Sequence, residues 1–373
     1  MIDTLRLMIP RAEVSFVSGL SNMGLYSKTE NYEKFVRNPS KTEKEMGLYF
    51  PRITGYRRGG HKDNAKILVE FSAPKLLFLN NVDELEDGDF EELIRVLRER
   101  LGTMGIIVMR TTLEKSLVSA VHFSKNILLK DGYTASHLIS EMNKVDLNQV
   151  YDFTRSRYIN DGQSLYAHTT SHQLVIYDKV ADISKGEKRA IDKDQPSYQI
   201  SLFPEIQKNK QEIIRFEVRL GNRQKIDRTL EALGYERGLS FRQIFKSEIS
   251  QKVVNDYWQK LIKSRNLGLF SVLPSIKDIL RIFLMANEKL KPKQAIYLLG
   301  LFLLARDENG LRELRSMVSK RAHDRTWYRF TRDMRRNSDA ITKNGLRSWV
   351  TQIDEELKIY KPFKVKQNEE QSN

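Results

Sequence analysis

Alternating, strand-like runs are confined to the first 235 or so residues of this chain, and amphipathic helices take over from about residue 238. A two-residue period and a 3.6-residue period present their apolar faces differently, so the change of pattern divides the chain into two parts of different architecture. The runs 3–9, 66–71, 104–110, 116–123, 165–168, 173–180 and 212–220 are short, β-branched or aromatic, and flanked by turn residues, which predicts strands. Among them the spacing predicts helices over 84–102, 133–144 and 222–233. The first has acids early, Arg late and Gly102 as a stop. Residues 36–64, basic and carrying the Gly59–Gly60 pair, read as loop, as do the polar residues 181–210. Further helices are predicted over 240–264, 275–289, 293–306, 309–320 and 323–336, with Pro274 and Pro292 at two starts and Gly310 at a tight turn. The expectation is a mixed strand-and-helix domain over 1–237, an all-helical domain over 238–363 and a disordered tail over 364–373.

Charge narrows the partners. Lys and Arg number 63 against 48 acids, for a formal net charge of +15. Such a surface suits a polyanion, because cations that neutralise phosphates release condensed counterions. There is no cysteine, so disulfides and zinc–thiolate sites are excluded. The most apolar stretch, AIYLLGLFLLA at 295–305, is 11 residues, and a membrane span needs about 20. MIDTLRLMIP lacks the basic start and long apolar core of a signal peptide, so a cytoplasmic protein is expected. No glycine-rich Walker loop is present, which argues against P-loop nucleotide hydrolysis.

Candidate chemistry lies on the strands. HQLVIYDKV, 172–180, projects Tyr177 and Lys179 from one face, a phenol beside an ammonium. A tyrosine that attacks phosphate needs such a cation to favour phenolate and offset transition-state charge. EIIRFEVRL, 212–220, puts Arg215, Glu217 and Arg219 opposite an apolar face of Phe216, Val218 and Leu220. Glu217 can serve a hard divalent cation there, with Arg215 and Arg219 on phosphates. The same residues equally suit a half-buried sheet tyrosine and a structural ion-pair ladder. Glu70 is the lone ionisable residue of ILVEF and precedes SAPK with Lys75; His122, followed by Lys125, stands in another apolar run. His168 and His172 flank a turn in HTTSH and are weaker candidates.

MIDTLRLMIP, LVEFSAPKLLFLNN at 68–81, HFSKN at 122–126, LVIYDK at 174–179 and IIRFEVRL at 213–220 occur in an order that resembles the phage and plasmid replication proteins of the gene II/gene X family. The resemblance covers scattered motifs over most of 1–235, and the helical half looks like the family's C-terminal domain. It implies an α+β protein with an antiparallel-sheet nuclease domain followed by an all-α domain. It also implies rolling-circle initiation: site-specific nicking of origin DNA through a tyrosine–phosphate intermediate, with Mg²⁺ or Mn²⁺, and rejoining of the displaced strand. On this basis Tyr177 is the nucleophile, Lys179 its cationic neighbour, and Glu70, Glu217 and His122 the metal ligands, with Tyr151, Tyr158 and Tyr166 as alternative nucleophiles. The His-hydrophobic-His motif of many rolling-circle initiators is missing, since Phe123 and Ser124 follow His122. Expected partners are duplex and single-stranded origin DNA and the host helicase and polymerase, with no membrane; a homo-oligomer is compatible. A non-catalytic origin-binding role is the alternative.

The segment 311–336 holds nine Lys/Arg against three acids, interleaved with Trp327, Tyr328 and Phe330. Arg321, Arg325, Arg329 and Arg332 join Lys75, Lys125, Arg215 and Arg219 as candidate DNA contacts. Two helices with a turn near 319–323 would suit a helix-turn-helix, and equally a solvated basic face on a bundle.

Overall fold

A computed structural model describes residues 1–17, 24–29, 32–58, 65–147, 155–159, 163–184, 211–263, 268–272, 275–321, 324–342 and 345–365. The fold is mixed: one ten-stranded antiparallel sheet and, among the described residues, fourteen α-helices. The strands are β1 (Ile2–Pro10), β2 (Val14–Phe16), β3 (Gly24–Thr29), β4 (Tyr32–Arg37), β5 (Arg52–Arg58), β6 (Lys66–Ser72), β7 (Ile106–Val108), β8 (Leu117–Leu128), β9 (Arg155–Ile159), β10 (Ser164–His168), β11 (His172–Asp178) and β12 (Ile213–Leu220). The sheet runs β3-β4-β5-β6-β1-β8-β12-β11-β10-β9, while β2 and β7 form a separate pair. The N-terminal strand therefore sits in the middle, between β6 and β8.

The helices of the first part are α1 (Lys41–Glu45), α2 (Ala73–Phe78), α3 (Phe90–Thr103), α4 (Arg110–Lys115), α5 (Ala135–Asn143), α6 (Lys179–Ser184) and α7 (Arg223–Glu231). The later ones are α8 (Phe241–Ile244), α9 (Ser247–Tyr257), α10 (Ile276–Ala286), α11 (Pro292–Arg306), α12 (Gly310–Ser319), α13 (Asp324–Thr342) and α14 (Ser348–Ile359). A π-helical turn, Trp258–Ile262, extends α9. All seven expected strands exist, although the one read over 173–180 ends at Asp178, and Lys179 opens α6. Residues 36–64 are not all loop: β4 reaches Arg37, Ser40 caps α1 through Glu43, and β5 follows. Pro204 and Pro274 lie outside the described residues, and α6 is the described part of 181–210.

Alternation along the central strands separates two faces. Leu5, Leu7, Val121, Phe123, Leu174, Ile176, Phe216 and Val218 are buried on one of them and join the main hydrophobic core. Helices α7, α9 and α14 pack against β8, and Phe216 meets the Trp258 ring edge-on at 5.5 Å. Burying a side chain of this size contributes about 2–3 kcal/mol. The helices after residue 238 are thus part of the cover of the sheet, and one continuous core runs from Met1 to Tyr360 across the expected boundary at 237/238.

Polar anchors fix this cover. Trp258 Nε1 donates to Asp354 Oδ1 at 2.6 Å, and Ser250 Oγ donates to the Met1 carbonyl at 2.6 Å. Asp146, just past α5, accepts from Arg315 and, at 3.0 Å, from Trp327 Nε1, which ties α12 and α13 down. Gly310 is at φ +54°, and a Cβ there would stand 2.5 Å from Lys144 Cβ, so only glycine lets α12 start this close. Val365, inside the span expected as a tail, is buried and its N–H donates to Asp83 at 2.9 Å. Residues 366–373 lie outside the described residues. No described helix is long and apolar enough to cross a membrane.

Candidate functional site

Strand register assembles the polar face. In β12, Arg215, Glu217 and Arg219 point away from Phe216 and Val218 and lie directly opposite Asn126, Ser124 and His122 of β8. On the other side β11 places Tyr177 opposite Arg215 and Val175 opposite Glu217. Asp3 enters from β1, whose register with β8 shifts between Ile2 and Leu5. Such irregularities re-aim side chains, and Asp3 Oδ1 stands 2.9 Å from Arg215 Nη2.

Glu217 is the hub. It is 2% exposed and accepts from Arg219 Nε at 2.8 Å. His122 Nδ1 lies at 3.1 Å, the Tyr177 hydroxyl donates to its Oε2 at 3.4 Å, and Arg215 Nε is at 3.9 Å. Arg215 is equally buried and spends its remaining donors on the Asn81 carbonyl, Asn126 Oδ1 and Ser124 Oγ. Burial alone would raise the Glu217 pKa, but the Arg219 charge, the His122 hydrogen bond and Arg215 outweigh it and hold the carboxyl well below its usual range. Tyr177, 7% exposed, is pushed well above 10, first by burial and then by Glu217, with Arg215 opposing. The resting phenol is therefore protonated.

Lys179 is fully buried, 3.4 Å from Asp182 and 5.7 Å from the centre of the Tyr177 ring. Desolvation, aided by Arg215 and opposed by Asp182, lowers its pKa to about 8. The expected proximity of phenol and ammonium is present, although a strand end and a helix start create it in place of one continuous strand.

Asp3, His122 and Glu217 bring three ligand atoms within 4.8 Å of one another. Two carboxylates and an imidazole so placed could hold a metal ion, and the donor set does not by itself choose which one. Charge sets a condition on that fit. Arg215 and Arg219 already balance the two carboxylates, so a divalent ion needs an anion such as a phosphate beside it. Glu70 does not belong to this trio. It lies on β6, with β1 and β8 between it and β12, a backbone separation of about 14 Å. Its charged neighbour is Arg6 at 4.0 Å.

The remaining candidates divide. Lys125 points to the opposite face from His122 and is buried against Glu84 at 3.1 Å and the Lys361 carbonyl at 2.6 Å, so it cannot reach DNA in this conformation. Arg215 is likewise sequestered, whereas Arg219 is about a third exposed. Lys75, in α2, lies 6.0 Å from the Tyr49 ring. Arg321 is exposed at the turn before α13; Arg325, Arg329 and Arg332 lie along one exposed side of that helix, and Trp327 and Met334 on its buried side. His172 is structural: its Nδ1 is 3.0 Å from Thr169 Oγ1, and burial lowers its pKa to about 4. Tyr166 faces Val175 in the sheet, while Tyr151 and the Tyr158 side chain lie outside the described residues. Sequence reasoning missed Asp3, Ser124 and Asn126. Ser124 and Asn126 share the parity of His122 on β8, which was a usable signal; Asp3 had none. Comparison of the chain with protein families, curated proteins and solved structures finds no match to any of them.

Proposed function

We propose that this chain initiates rolling-circle DNA replication by nicking one strand at an origin through Tyr177 and later rejoining it. The observation that carries the reading is the Tyr177 hydroxyl 3.4 Å from the buried Glu217, in the same cluster as the half-buried Asp3 and His122. Asp3, His122 and Glu217 would hold a Mg²⁺ or Mn²⁺ ion, which supplies Lewis-acid polarisation of the scissile phosphate. Arg219, about a third exposed, is the more accessible of the cluster's two arginines and would meet the phosphate first. Lys179 supplies positive charge beside the phenol below pH 8 or so. Tyr177 Oη bonds to phosphorus as the bond to the 3′ oxygen breaks; the phenol loses its proton and the 3′ oxygen gains one. The new phosphotyrosine conserves the phosphodiester bond energy, so attack by a 3′-hydroxyl reverses the step without ATP. Arg321, Arg325, Arg329 and Arg332 present a basic surface to duplex DNA. Host helicase and polymerase would extend and unwind from the nick, in the bacterial cytoplasm.

One observation favours a second reading. Tyr177 is buried, and Asp3 and Glu217 beside it are each paired with an arginine, which suits an origin-binding protein that does not cut. Supercoiled replicon DNA incubated with Mg²⁺ or Mn²⁺ and resolved on a denaturing gel separates the two. Nicking with a covalent protein–DNA adduct, both lost in Tyr177→Phe while DNA binding persists, supports the first. Binding without cutting by the wild type selects the second, and equal cutting by both proteins removes Tyr177 as nucleophile.

A further inference from the structure

Helix α11 is apolar on all sides. Ala295, Leu298, Leu301, Phe302 and Ala305 are buried against the body of the protein. The opposite side is apolar as well, with Ile296 60% and Leu304 53% exposed. A helix that is hydrophobic all round is normally covered all round; among the described residues Tyr297 meets the Phe330 ring of α13 edge-on at 6.1 Å at one margin of this face, while Ile296 and Leu304 stay more than half exposed.

Gly300 lies at the centre of that face. On a 100° helical wheel the residues within about 60° of it are Lys293, Ile296, Tyr297, Leu303, Leu304 and Asp307. Glycine inside a helix costs about 1 kcal/mol relative to alanine. Its own fold gives no reason for this one, since an added Cβ at Gly300 would meet nothing within 4 Å. What a glycine there permits is close approach by another backbone.

The stripe is also complementary to itself. An antiparallel copy of α11 centred on Gly300 sets Ile296 against Leu304 and Tyr297 against Leu303. Seven residues out on either side, it sets Lys293 against Asp307. Both are exposed, and neither takes part in an ion pair among the described residues. Twofold symmetry makes each of these pairings occur twice, as an isologous interface requires. We infer that a second copy of this chain docks here, α11 against α11, antiparallel and crossing at Gly300. The interface lies on the helical part and is independent of how the Tyr177 cluster functions.

Sedimentation equilibrium on the full chain tests the pairing, with far-UV circular dichroism to confirm that each variant is folded. The wild type is expected to be a reversible dimer at micromolar concentration. Gly300→Leu, for which the protomer has room, should abolish it. Lys293→Glu and Asp307→Lys each turn two attractive pairs into repulsive ones and should weaken dimerisation about tenfold. The double variant should restore it. A wild type that stays monomeric, a dimer indifferent to Gly300→Leu, or single charge reversals that the double variant fails to rescue would each overturn the inference.

Discussion

Glu217→Gln is the substitution that tests the electrostatic account of the cluster most directly. The amide keeps the size of the side chain and removes one negative charge. Arg219 at 2.8 Å then loses its ionic partner, and Arg215, at 3.9 Å from Glu217, retains Asp3. Breaking a buried ion pair from one side costs about 3–5 kcal/mol, because the partner charge remains desolvated. Arg219 is partly exposed and recovers some hydration, so the lower end, about 3 kcal/mol, is expected at pH 7. The effect also has a pH signature. The folded Glu217 pKa is held below its reference value of 4.5, so its contribution is fully present above about pH 4.5 and is lost as pH falls toward the folded value. Glutamine does not titrate, and the other acids are common to both proteins. The difference in unfolding free energy between wild type and Glu217→Gln should therefore shrink as the pH falls below about 4.5. Urea unfolding followed by circular dichroism at several pH values measures it. A gap under 1 kcal/mol at pH 7, or one that does not change on acidification, would show that the arginines do not depend on this carboxylate.

Two other perturbations follow from groups described above. Lys179 has a folded pKa of about 8 against 10.5 for the free side chain, so between those values the unfolded chain holds a proton that the folded one lacks, and wild-type stability should rise with pH, by at most about 3 kcal/mol; Lys179→Met should lose that rise, as read from urea midpoints between pH 7 and 10. Gly310→Ala forces a Cβ to 2.5 Å from Lys144 at φ +54°, and about 2–4 kcal/mol of destabilisation is expected, seen in hydrogen exchange as faster opening of α12 and α13 than of the sheet.

The central strands were legible because their apolar residues alternate or run continuously, as in LVSAVHFS and IIRFEVRL. Strands β4 and β5 were not, because YEKFVR and RITGYRR carry no clean alternation; every residue of β4 is only half-buried, so there is no period to detect. Side-chain parity on β12 correctly put Arg215, Glu217 and Arg219 on one face. The same parity applied to β8 separates Lys125 from His122, and that consequence is what makes Lys125 a structural partner of Glu84. Glu70 drew notice as a lone acid in an apolar strand, yet cross-strand pairing sets it opposite Arg6 and Arg52, which gives it an ordinary surface environment. Asp3 could not be found from its neighbours, because its place in the cluster depends on a register shift between strands more than a hundred residues apart. The coverage of the sheet by helices after residue 238 was hidden for a related reason: periodicity marks the buried face of a helix but not the partner it is buried against.

The position of Tyr360 has a kinetic consequence. Its hydroxyl donates to the Ser124 carbonyl at 3.1 Å, across 236 positions of sequence, and Phe363 closes on Glu84 nearby at 3.0 Å. At about 5–20 residues per second of synthesis, the middle of the sheet waits on the order of ten to fifty seconds for the segment that completes it. During that interval Glu84 and Lys125 lack part of their final surroundings, and the apolar face of β8 has no α14 over it. Closure over such a separation is slow even for a finished chain. The competition between folding and aggregation is therefore decided late, and a defect in residues 348–365 would act on the nascent protein well before it altered any equilibrium property of the folded one.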